Sequence, residues 1–344
     1  MKIAVGILGA TGSVGQKFVQ LLSGHPWFEI ATLAASERSA GKPYREAVHW
    51  ILSTPIPEDI AGMEVVECEP SLPCRIAFSG LDASVAGEIE ERFARAGTIV
   101  VSNAKNHRWD EYVPLLVPEI NPDHLNLVKH QPYGKGAIVT NPNCSTTGLV
   151  MALKPLQDRF GVKQVHVVTL QALSGAGFPG VPSLEITDNV IPYISGEEEK
   201  LQTEPLKILG KYDGSRIRQL ELPISAHCTR VAVLDGHLEC VSVSLEKKAS
   251  AEELIEAWTT FSSRPQELKL PMAPEKPIYY FPEPDFPQPR LHRDLDKGMA
   301  VSVGRLRKCP LFDYKFILLS HNTVRGAAGG AILNAELMVK NGLI

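Results

Sequence analysis

The 344-residue sequence predicts an α/β protein of two domains, with a parallel sheet in the first half and a mixed or antiparallel sheet in the second. Its length fits two domains of about 150 residues each. Short apolar runs alternate with amphipathic stretches over residues 1–140, which is typical of strands and helices that build a parallel sheet. Longer apolar–polar runs follow, separated by long connections and few helices. The change of pattern marks the second domain.

The elements of the first half follow one another as strand and helix. Residues 3–8 form a short apolar run that ends in glycines, and residues 13–23 carry apolar side chains at helical spacing. A helix predicted over residues 83–96 is followed by Gly97, a residue typical of helix ends. The remaining strands are predicted at 29–35, 76–78, 98–102 and 137–140.

The second half is predicted to be richer in strands than in helices. Its strands are expected at 163–172, 229–234, 237–246, 299–306 and 314–320. The proline-rich stretch 271–290 is predicted to be an extended loop, because prolines interrupt regular structure. A final helix is predicted over residues 326–340, and the small residues at its start would allow close approach to another backbone or to a cofactor.

Composition and charge argue against several classes of protein. A formal net charge of −4 lacks the basic excess of nucleic-acid-binding domains. The apolar runs are far shorter than the ~20 residues of a membrane span. A signal peptide is an alternative for the N-terminus, but the apolar run ends at Leu8 and no cleavage region follows. Reduced thiols, a cytoplasmic location and no metal site are predicted from six scattered cysteines, at positions 68, 74, 144, 228, 240 and 309.

Three glycines follow the first strand and open the first helix. Gly9, Gly12 and Gly15 allow a tight turn, close approach of the backbone to a pyrophosphate, and close packing of helix on strand. The helix N-terminus would present free N–H groups to the anion. The loop therefore predicts a Rossmann domain that binds a dinucleotide, with a purely structural turn as the alternative. The loop residues expected to contact the cofactor are Gly9, Thr11, Gly12, Ser13, Val14 and Gly15.

The residues after the second strand predict which dinucleotide binds. Proteins that bind NAD tend to place an acid here to hold the ribose hydroxyls. In this chain Ser36, Arg38 and Ser39 could instead donate to a 2′-phosphate, and arginine can do so with two hydrogen bonds. Glu37 would oppose a phosphate if its side chain pointed inward. NADP is the predicted cofactor, and a solvated loop is the alternative.

Cys144 is a candidate nucleophile. It stands in the segment TNPNCSTTGL, where a strand ends and a helical run begins. A helix N-terminus lowers the pKa of a thiol, because the helix dipole favours the thiolate. A thiolate there could attack a carbonyl carbon while backbone N–H groups hold the oxyanion. The alternative is a buried structural cysteine, and local context alone does not decide between the two.

Four segments together resemble the aspartate-semialdehyde dehydrogenase family, and its archaeal and fungal branch in particular: GATGSVG, TNPNCSTTG, LQALSGAG and TRVAVLDGH. They occur in the family's order along nearly the whole chain. The resemblance implies a glyceraldehyde-3-phosphate dehydrogenase-like architecture. A Rossmann domain over 1–143 would be completed by a C-terminal helix, 322–344, and a catalytic and dimerisation domain would cover 144–321. It also implies a homodimer or homotetramer, with segment 171–195 at a subunit interface.

The resemblance implies roles for four residues near the reacting carbon. Cys144 would be the nucleophile. His237 would be the general acid and base, for which a pKa near the working pH is well suited. Arg230 would bind the substrate carboxylate through its planar fork of donors. Gln171 would orient the substrate next to the thiol.

The resemblance also implies contacts to the rest of the substrate and to the nicotinamide. The substrate phosphate would lie among Arg108, Asn143 and Lys207, and Glu204 would contact the substrate amino group. For the charged residues a solvated surface is the alternative. A short helix is expected at this point, with Thr203 as its cap and Pro205 in its first turn. The nicotinamide contacts would come from Ser174, Gly175 and Asn322.

The activity that the resemblance implies is the NADPH-dependent reductive dephosphorylation of L-aspartyl 4-phosphate to L-aspartate 4-semialdehyde, in lysine, threonine and methionine biosynthesis. A malonyl-CoA reductase of the same family is one alternative, although the segment NPNCST favours the dehydrogenases and the Glu204 and Lys207 pair favours an acyl phosphate that bears an amino group. An N-acetyl-glutamyl-phosphate reductase fits the cysteine segment less well. A catalytically silent NADP-binding protein is the alternative from another class. The presence of Cys144, Arg230 and His237 argues against it.

Overall fold

The computed structural model describes residues 2–344, and its first half forms a six-stranded, fully parallel sheet. The strands are β1 (Ile3–Leu8), β2 (Phe28–Ala35), β3 (Val65–Glu67), β4 (Ile76–Ser79), β5 (Ile99–Ser102) and β6 (Ala137–Thr140). Their order in the sheet is β3-β2-β1-β4-β5-β6. The order reverses between β1 and β4, and ligands of open α/β sheets bind in the crevice at such a point.

Helices of very different length connect these strands. The two long ones carry apolar stripes that pack on the sheet, as the helical spacing predicted. A nine-residue 3-10 helix, Pro122–His130, precedes β6. The α-helices of this half are α1 (Ser13–Leu22), α2 (Tyr44–Ala47), α3 (Glu58–Ala61) and α4 (Ala83–Arg95).

The second half contains a mixed six-stranded sheet and a small two-stranded one. The larger sheet has the order β10-β7-β11-β14-β13-β12, and β8 pairs with β9. β10 is parallel to β7 and β12 is parallel to β13, whereas the other pairs are antiparallel. The strands are β7 (Val162–Gln171), β8 (Lys211–Tyr212), β9 (Ile217–Arg218), β10 (Ile224–Arg230), β11 (His237–Leu245), β12 (Ile278–Phe281), β13 (Val301–Lys308) and β14 (Tyr314–Ser320).

Only one face of the larger sheet is covered by helices. Trp258 of α8 and Met151 of α5 belong to the hydrophobic core on that face, together with Val241 of β11. On the opposite face, partly exposed side chains alternate with the buried ones. We call this the open sheet face, and its central apolar residues are Val168, Leu170, Leu238, Cys240 and Ile317. The helices of this half are α5 (Cys144–Phe160), α6 (Ser183–Ile186), α7 (Glu197–Ile208), α8 (Ala251–Thr259), α9 (Arg264–Glu267), α10 (Pro289–His292) and α11 (Gly329–Lys340).

The C-terminal helix α11 returns to the first sheet. Ala331 and Ile332 share a hydrophobic cluster with Val5 and Phe18. A π-helical turn, Val324–Ala328, precedes α11 and connects it to β14. The chain therefore crosses between the two sheets twice, once at the start of α5 and once at this turn. None of the helices over residues 2–344 is long and apolar enough to cross a membrane.

The predicted fold class is confirmed, but three local predictions are wrong. The strand expected at 229–234 is Ile224–Arg230 instead. Residues 231–234 do not continue it, because Leu173 and Ser174 of the neighbouring loop donate to the carbonyls of Val233 and Leu234. The loop expected at 271–290 contains β12, a parallel edge strand between prolines.

The helix around Pro205 also differs from the prediction. It begins at Glu197, so Pro205 lies inside α7 and not in its first turn. Thr203 is not a cap, since its hydroxyl donates to the carbonyl of Glu199 one turn earlier, at 2.8 Å. The prediction failed because a proline was taken to mark the start of the helix, whereas buried contacts of α7 with α5 and β10 hold it in an interior position.

Candidate active site

A cleft of about 440 Å³ lies between the glycine loop, the start of α5 and the turn before α11. Eight residues predicted from the sequence line it: Ser13, Val14, Arg108, Asn143, Cys144, Ser174, Gly175 and Asn322. A larger cavity of about 610 Å³ lies beside the exposed side of α5, but its lining includes no cysteine or histidine. The reactive groups therefore identify the smaller cleft as the candidate active site.

Cys144 and His237 form a close pair at the floor of this cleft. The Sγ atom of Cys144 lies 3.1 Å from Nε2 of His237, although the residues are 93 positions apart. The backbone N–H of Ala172 donates to Nδ1 of His237 at 3.0 Å. Because Nδ1 accepts this bond, a neutral imidazole carries its proton on Nε2. That proton is directed at the sulfur and at any oxygen that forms beside it.

Three buried side chains meet at the carboxyl end of β7, next to this pair. Gln171 ends β7, and Arg230 lies opposite it at the end of the parallel strand β10. His237 begins β11, which runs antiparallel along the other side of β7. Arg230 and His237 are therefore on separate strands with β7 between them. All three are buried, which places them on the face that α5 covers.

The helix start predicted at Cys144 is present, and Asn143 caps it. The side-chain Oδ1 of Asn143 accepts from the backbone N–H groups of Ser145, at 3.0 Å, and Thr146, at 3.3 Å. Gly326 closes the opposite side of the cysteine. A Cβ added at Gly326 would lie 2.7 Å from the Cβ of Cys144, so only glycine fits at this point of the turn.

The helix start lowers the pKa of the cysteine as predicted, through the Ser145 N–H, but burial outweighs this effect. Burial raises the pKa of the Cys144 thiol to about 12, and the nearby Glu197 carboxylate acts in the same direction. The Ser145 N–H and two arginines oppose this rise without cancelling it. Burial, with the Arg230 charge, also lowers the pKa of His237 to about 3. The pair is therefore a thiol and a neutral imidazole at neutral pH when the site holds no substrate.

Two functional candidates were missed in the sequence, Glu197 and Lys200 in the first turns of α7. Lys200 lines the cleft beside Arg108, and its Nζ lies 2.7 Å from Oε1 of Glu197. Glu197 is nearly buried and accepts from Asn143 Nδ2, at 2.8 Å, and from Gln171 Nε2, at 3.2 Å. Burial would raise the pKa of Glu197, but the charge of Lys200 and these hydrogen bonds lower it. Glu197 is therefore an ionised acid in contact with two residues that line the cleft, Asn143 and Lys200.

Glu204 and Lys207, the pair predicted from the sequence, do not line the cleft. Lys207 is buried and donates to three backbone carbonyls, those of Arg108 at 2.7 Å, Val113 at 2.9 Å and Asp110 at 3.2 Å. Burial lowers its pKa to about 8. All three ammonium donors are used within the protein, so the predicted phosphate contact of Lys207 is contradicted.

Glu204 is likewise engaged within the protein. Its Oε1 accepts from Nη1 of Arg108 and its Oε2 from the backbone N–H of Asn143, both at 2.7 Å. The carboxylate is buried with both oxygens bonded to Arg108 and Asn143, so the structure does not support the predicted contact with a substrate amino group. Glu204 instead holds two residues of the cleft at a fixed separation. The sequence contains another Glu-x-x-Lys pair, Glu197 with Lys200, seven residues earlier on the same helix. This repeat is the signal that could have indicated the second candidate pair.

Both arginines of the prediction are close to the reacting pair. Arg230 donates from Nη1 to the carbonyl of Ala172 at 2.7 Å, which leaves its other donors free. A Cβ at Gly175 would lie 2.8 Å from Arg230 Nη1, so glycine allows this loop to cover the guanidinium. Arg108 donates to the carbonyl of Asn103 at 2.9 Å as well as to Glu204. Two positive charges therefore flank the sulfur.

The glycine loop has the conformation that its sequence requires. Gly9 adopts a φ of +76°, which disfavours other residues. A Cβ at Gly15 would lie 2.2 Å from the carbonyl oxygen of Gly9, so α1 packs directly on the loop. Gly12 is the N-cap residue of α1 and brings no side chain to the helix start. The loop passes through Thr11, and Ser13 and Val14 face the cleft. The free N–H groups of α1 are open to an anion.

The turn after β2 is exposed and carries the residues predicted to select the dinucleotide. Ser39 N–H donates to the carbonyl of Ser36 at 2.8 Å, which closes the turn. Ser36, Glu37 and Arg38 are all exposed. On the far side of the cleft, Asn322 donates from Nδ2 to the hydroxyl of Ser174 at 2.8 Å. Asn322 and Ser174 thus line the cleft, whereas the turn after β2 lies outside its lining.

Comparisons with known proteins agree with this geometry. Residues 4–128 match the family model for the NAD binding domain of semialdehyde dehydrogenases, and residues 153–325 match the model for their dimerisation domain. An aspartate-semialdehyde dehydrogenase of Archaeoglobus fulgidus is 51% identical, with 100% of both chains covered. One from Schizosaccharomyces pombe is 52% identical, with 99% of both chains covered.

A solved structure is also closely similar. The crystal structure of aspartate semialdehyde dehydrogenase with NADP from Candida albicans superimposes with a TM-score of 0.92, at 44% identity and 100% coverage of both chains. The relatives that share about half of their residues with this chain come from archaea and fungi. The chain belongs to the aspartate-semialdehyde dehydrogenase family, in the branch that contains archaeal and fungal members.

Proposed function

We propose that this protein is an aspartate-semialdehyde dehydrogenase that converts L-aspartyl 4-phosphate and NADPH into L-aspartate 4-semialdehyde, phosphate and NADP. The observation that carries the proposal is the 3.1 Å contact of Cys144 with His237 in a cleft between two cationic side chains. The relatives that bear this name match the chain along its whole length. The product would enter lysine, threonine and methionine biosynthesis.

The residues of the groove fit NADP. The Gly9–Gly15 loop leaves a cradle that side chains would fill, and it opens α1 toward a pyrophosphate. The exposed Arg38, with Ser36 and Ser39, can hold a 2′-phosphate, while Glu37 is free to turn to solvent. Asn322 and Ser174 stand where the nicotinamide end would reach Cys144. NADPH would supply the hydride that reduces the acyl carbon.

The protein's own residues perform the remaining steps. Cys144 Sγ bonds to the acyl carbon as its S–H bond breaks, and the departing phosphate takes that proton together with the electron pair of the broken C–O bond. His237 gives its Nε2 proton to the carbonyl oxygen as negative charge develops there. When the resulting thiohemiacetal breaks down, the same nitrogen takes the proton back and the sulfur leaves as thiolate. Arg230 would bind the substrate carboxylate, and Gln171 would fix the acyl group.

The structure supports a revised set of substrate contacts. We assign the phosphate to Arg108, Asn143 and Lys200, because Lys200 lines the cleft and Lys207 does not. We assign the substrate ammonium group to Glu197, the ionised acid beside Gln171. A lysine and an acid that stand three residues apart on one helix can then hold opposite charges of a single substrate.

The decisive assay runs the reaction in reverse, with aspartate semialdehyde, phosphate and NADP, beside a Cys144→Ala control. Formation of NADPH that requires phosphate and is lost in the variant would establish both the substrate and the nucleophile. Oxidation of NADPH with malonyl-CoA, and no phosphate-dependent reaction, would instead identify a malonyl-CoA reductase. That result would contradict the assignment of the substrate phosphate to Arg108, Asn143 and Lys200.

We also propose how the chain is organised and assembled. Residues 1–143 with 322–344 would form the NADP-binding domain, and 144–321 the catalytic and dimerisation domain. Two copies would pair through the open sheet face, because its central residues are apolar and no other part of residues 2–344 covers them. The segment 171–195 would add to this contact, since Leu184 is 94% exposed and Tyr193 is 66% exposed. The free thiols of the protein's cysteines are consistent with a cytoplasmic location.

A further inference from the structure

Glu239 is a buried acid with no partner. It lies on β11, two residues after His237, and its side chain is fully buried. Neither carboxyl oxygen has a hydrogen-bonding partner among residues 2–344. An isolated ionised carboxylate in such surroundings would cost far more free energy than a protonated one. Burial raises the pKa of Glu239 well above its usual range. Glu239 is therefore a neutral acid, with one O–H to donate.

Two hydroxyl groups without partners lie on the same side of the sheet. Ser320 on β14 stands opposite His237, on the face that α5 covers, so it is a diagonal neighbour of Glu239. Ser145 lies in the first turn of α5, and both serine hydroxyls are buried and unpartnered among the described residues. Gly148 allows α5 to approach Ser320 and Glu239 closely. A Cβ there would lie 2.9 Å from Ser320 Cβ and 3.5 Å from Glu239 Oε1.

Glu239 cannot relay protons to the imidazole. Both ring nitrogens of His237 are already engaged, Nε2 with Cys144 and Nδ1 with the backbone of Ala172. The groups whose pKa values the charge of Glu239 affects are the thiols of Cys228 and Cys240, and a thiol is never positively charged. His237, two residues earlier on the same strand, is neutral at neutral pH, because its pKa is lowered to about 3. The acid is therefore neither an ion-pair partner nor a proton carrier.

We propose that protonated Glu239 and the hydroxyls of Ser145 and Ser320 bind an internal water molecule that holds the first turns of α5 against the sheet. Buried waters typically form about three hydrogen bonds to polar groups that otherwise have no partner. Here the three groups come from three elements, α5, β11 and β14. The water would fix the position of Cys144 relative to His237. Glu239 is thus a positioning residue for the reaction proposed above, on which the kinetic part of this inference rests.

Infrared spectroscopy tests the protonation without any assay of activity. The difference spectrum between the full wild-type chain and Glu239→Gln at neutral pH should show the C=O stretch of a protonated carboxylic acid. Glu256→Gln, at an exposed position on α8, is the matched control and should show only carboxylate bands. A carboxylate band in the Glu239 difference spectrum would overturn the proposal. This outcome is independent of whether the proposed substrate is correct.

Kinetics test the positioning. Glu239→Leu removes a partner of the water, so kcat should fall roughly tenfold to a hundredfold while KM for NADP stays close to the wild-type value. The conservative Glu239→Gln variant should restore most of kcat. Adding Ser320→Ala to Glu239→Leu should lower kcat little further, because each substitution already removes the same water. The proposal of a shared water would be overturned if the two losses in kcat were fully additive, or if a folded Glu239→Leu variant kept the wild-type kcat. If Glu239→Leu does not fold, Ser145→Ala takes its place, and the loss in kcat of Ser145→Ala with Ser320→Ala should be clearly smaller than the sum of the two single losses.

Discussion

At the scale of single residues, α7 shows how two similar motifs can have different roles. Glu197 with Lys200 and Glu204 with Lys207 have the same spacing, and seven residues bring a helix back to the same face. In the first pair Lys200 lines the cleft and Glu197 bonds to Lys200 and Asn143, whereas the second pair bonds to backbone carbonyls, Arg108 and Asn143. Sequence cannot separate them, because the difference lies only in what each pair packs against.

Substitution of the two lysines separates these roles. Lys200→Met should raise KM for phosphate at least about tenfold, because a charge-assisted hydrogen bond is lost. Lys207→Met leaves three buried carbonyls without a donor and should lower the free energy of unfolding by about 3 kcal/mol. Phosphate titrations and urea denaturation of both variants measure the two effects. If Lys207→Met proved stable but weak in phosphate binding, the sequence-based assignment would be restored.

The raised pKa of Cys144 predicts how its reactivity depends on pH. With a thiol pKa of about 12, the rate of alkylation by iodoacetamide should rise about tenfold per pH unit from neutral to alkaline pH, without a plateau. Cys309 is an internal comparison, since hydrogen bonds from the backbone of Leu311 lower its pKa. Its alkylation should level off at a lower pH. Site-resolved mass spectrometry of one sample follows both, and a plateau for Cys144 near neutral pH would refute the burial argument.

At the scale of elements, the π-helical turn before α11 is anchored by one buried ion pair. Both guanidinium NH₂ groups of Arg325 donate to the carboxylate of Glu119, each at 2.6 Å. Glu119 belongs to the connection between β5 and β6, so the pair ties the first sheet to the turn that carries Gly326. The sequence predicted the helix that follows but not the turn, because a π-helical turn depends on a partner 206 residues away.

Loss of one partner should therefore be severe. Glu119→Gln leaves the Arg325 charge buried and uncompensated, and we expect a loss of about 3–5 kcal/mol in the free energy of unfolding. The double variant Glu119→Leu with Arg325→Met should recover much of that loss, since replacing a buried ion pair with apolar residues is often neutral. Denaturant unfolding of the single and double variants makes the comparison. If the free energy of unfolding of a single variant lay within about 1 kcal/mol of the wild-type value, the ion pair would contribute little to stability.

At the scale of the whole molecule, the first sheet was easier to predict than the second. Five of its six parallel strands read as short apolar runs, and their predicted bounds agree closely with the structure, whereas the short edge strand β3 was not predicted. In the second sheet β10 was predicted too late in the chain, because Ser225 and His227 alternate with buried residues and point away from the core. The contacts that join Cys144 to His237, 93 residues apart, could be inferred only from family resemblance.

The open sheet face predicts the assembly. Leu238→Glu should convert a dimer into a monomer, because a two-fold contact would bring two like charges onto one apolar surface. The dissociation constant should rise at least about a hundredfold. Light scattering over a range of concentrations measures this and distinguishes a dimer from a tetramer. Glu256→Lys, on the helix-covered side, is the control and should leave the mass unchanged. A monomeric wild type would contradict both this face and the role of segment 171–195.

His237 is the first residue of β11, and side chains along a strand alternate between the two faces of the sheet. A slip of β11 by a single residue would turn the imidazole out onto the open sheet face and place Leu238 next to the sulfur. A misaligned chain could keep its secondary structure and its mass and still be inert. Turnover is therefore a direct measure of strand alignment, and recovery of activity during refolding would time the moment at which β7, β11 and β14 come into correct pairing.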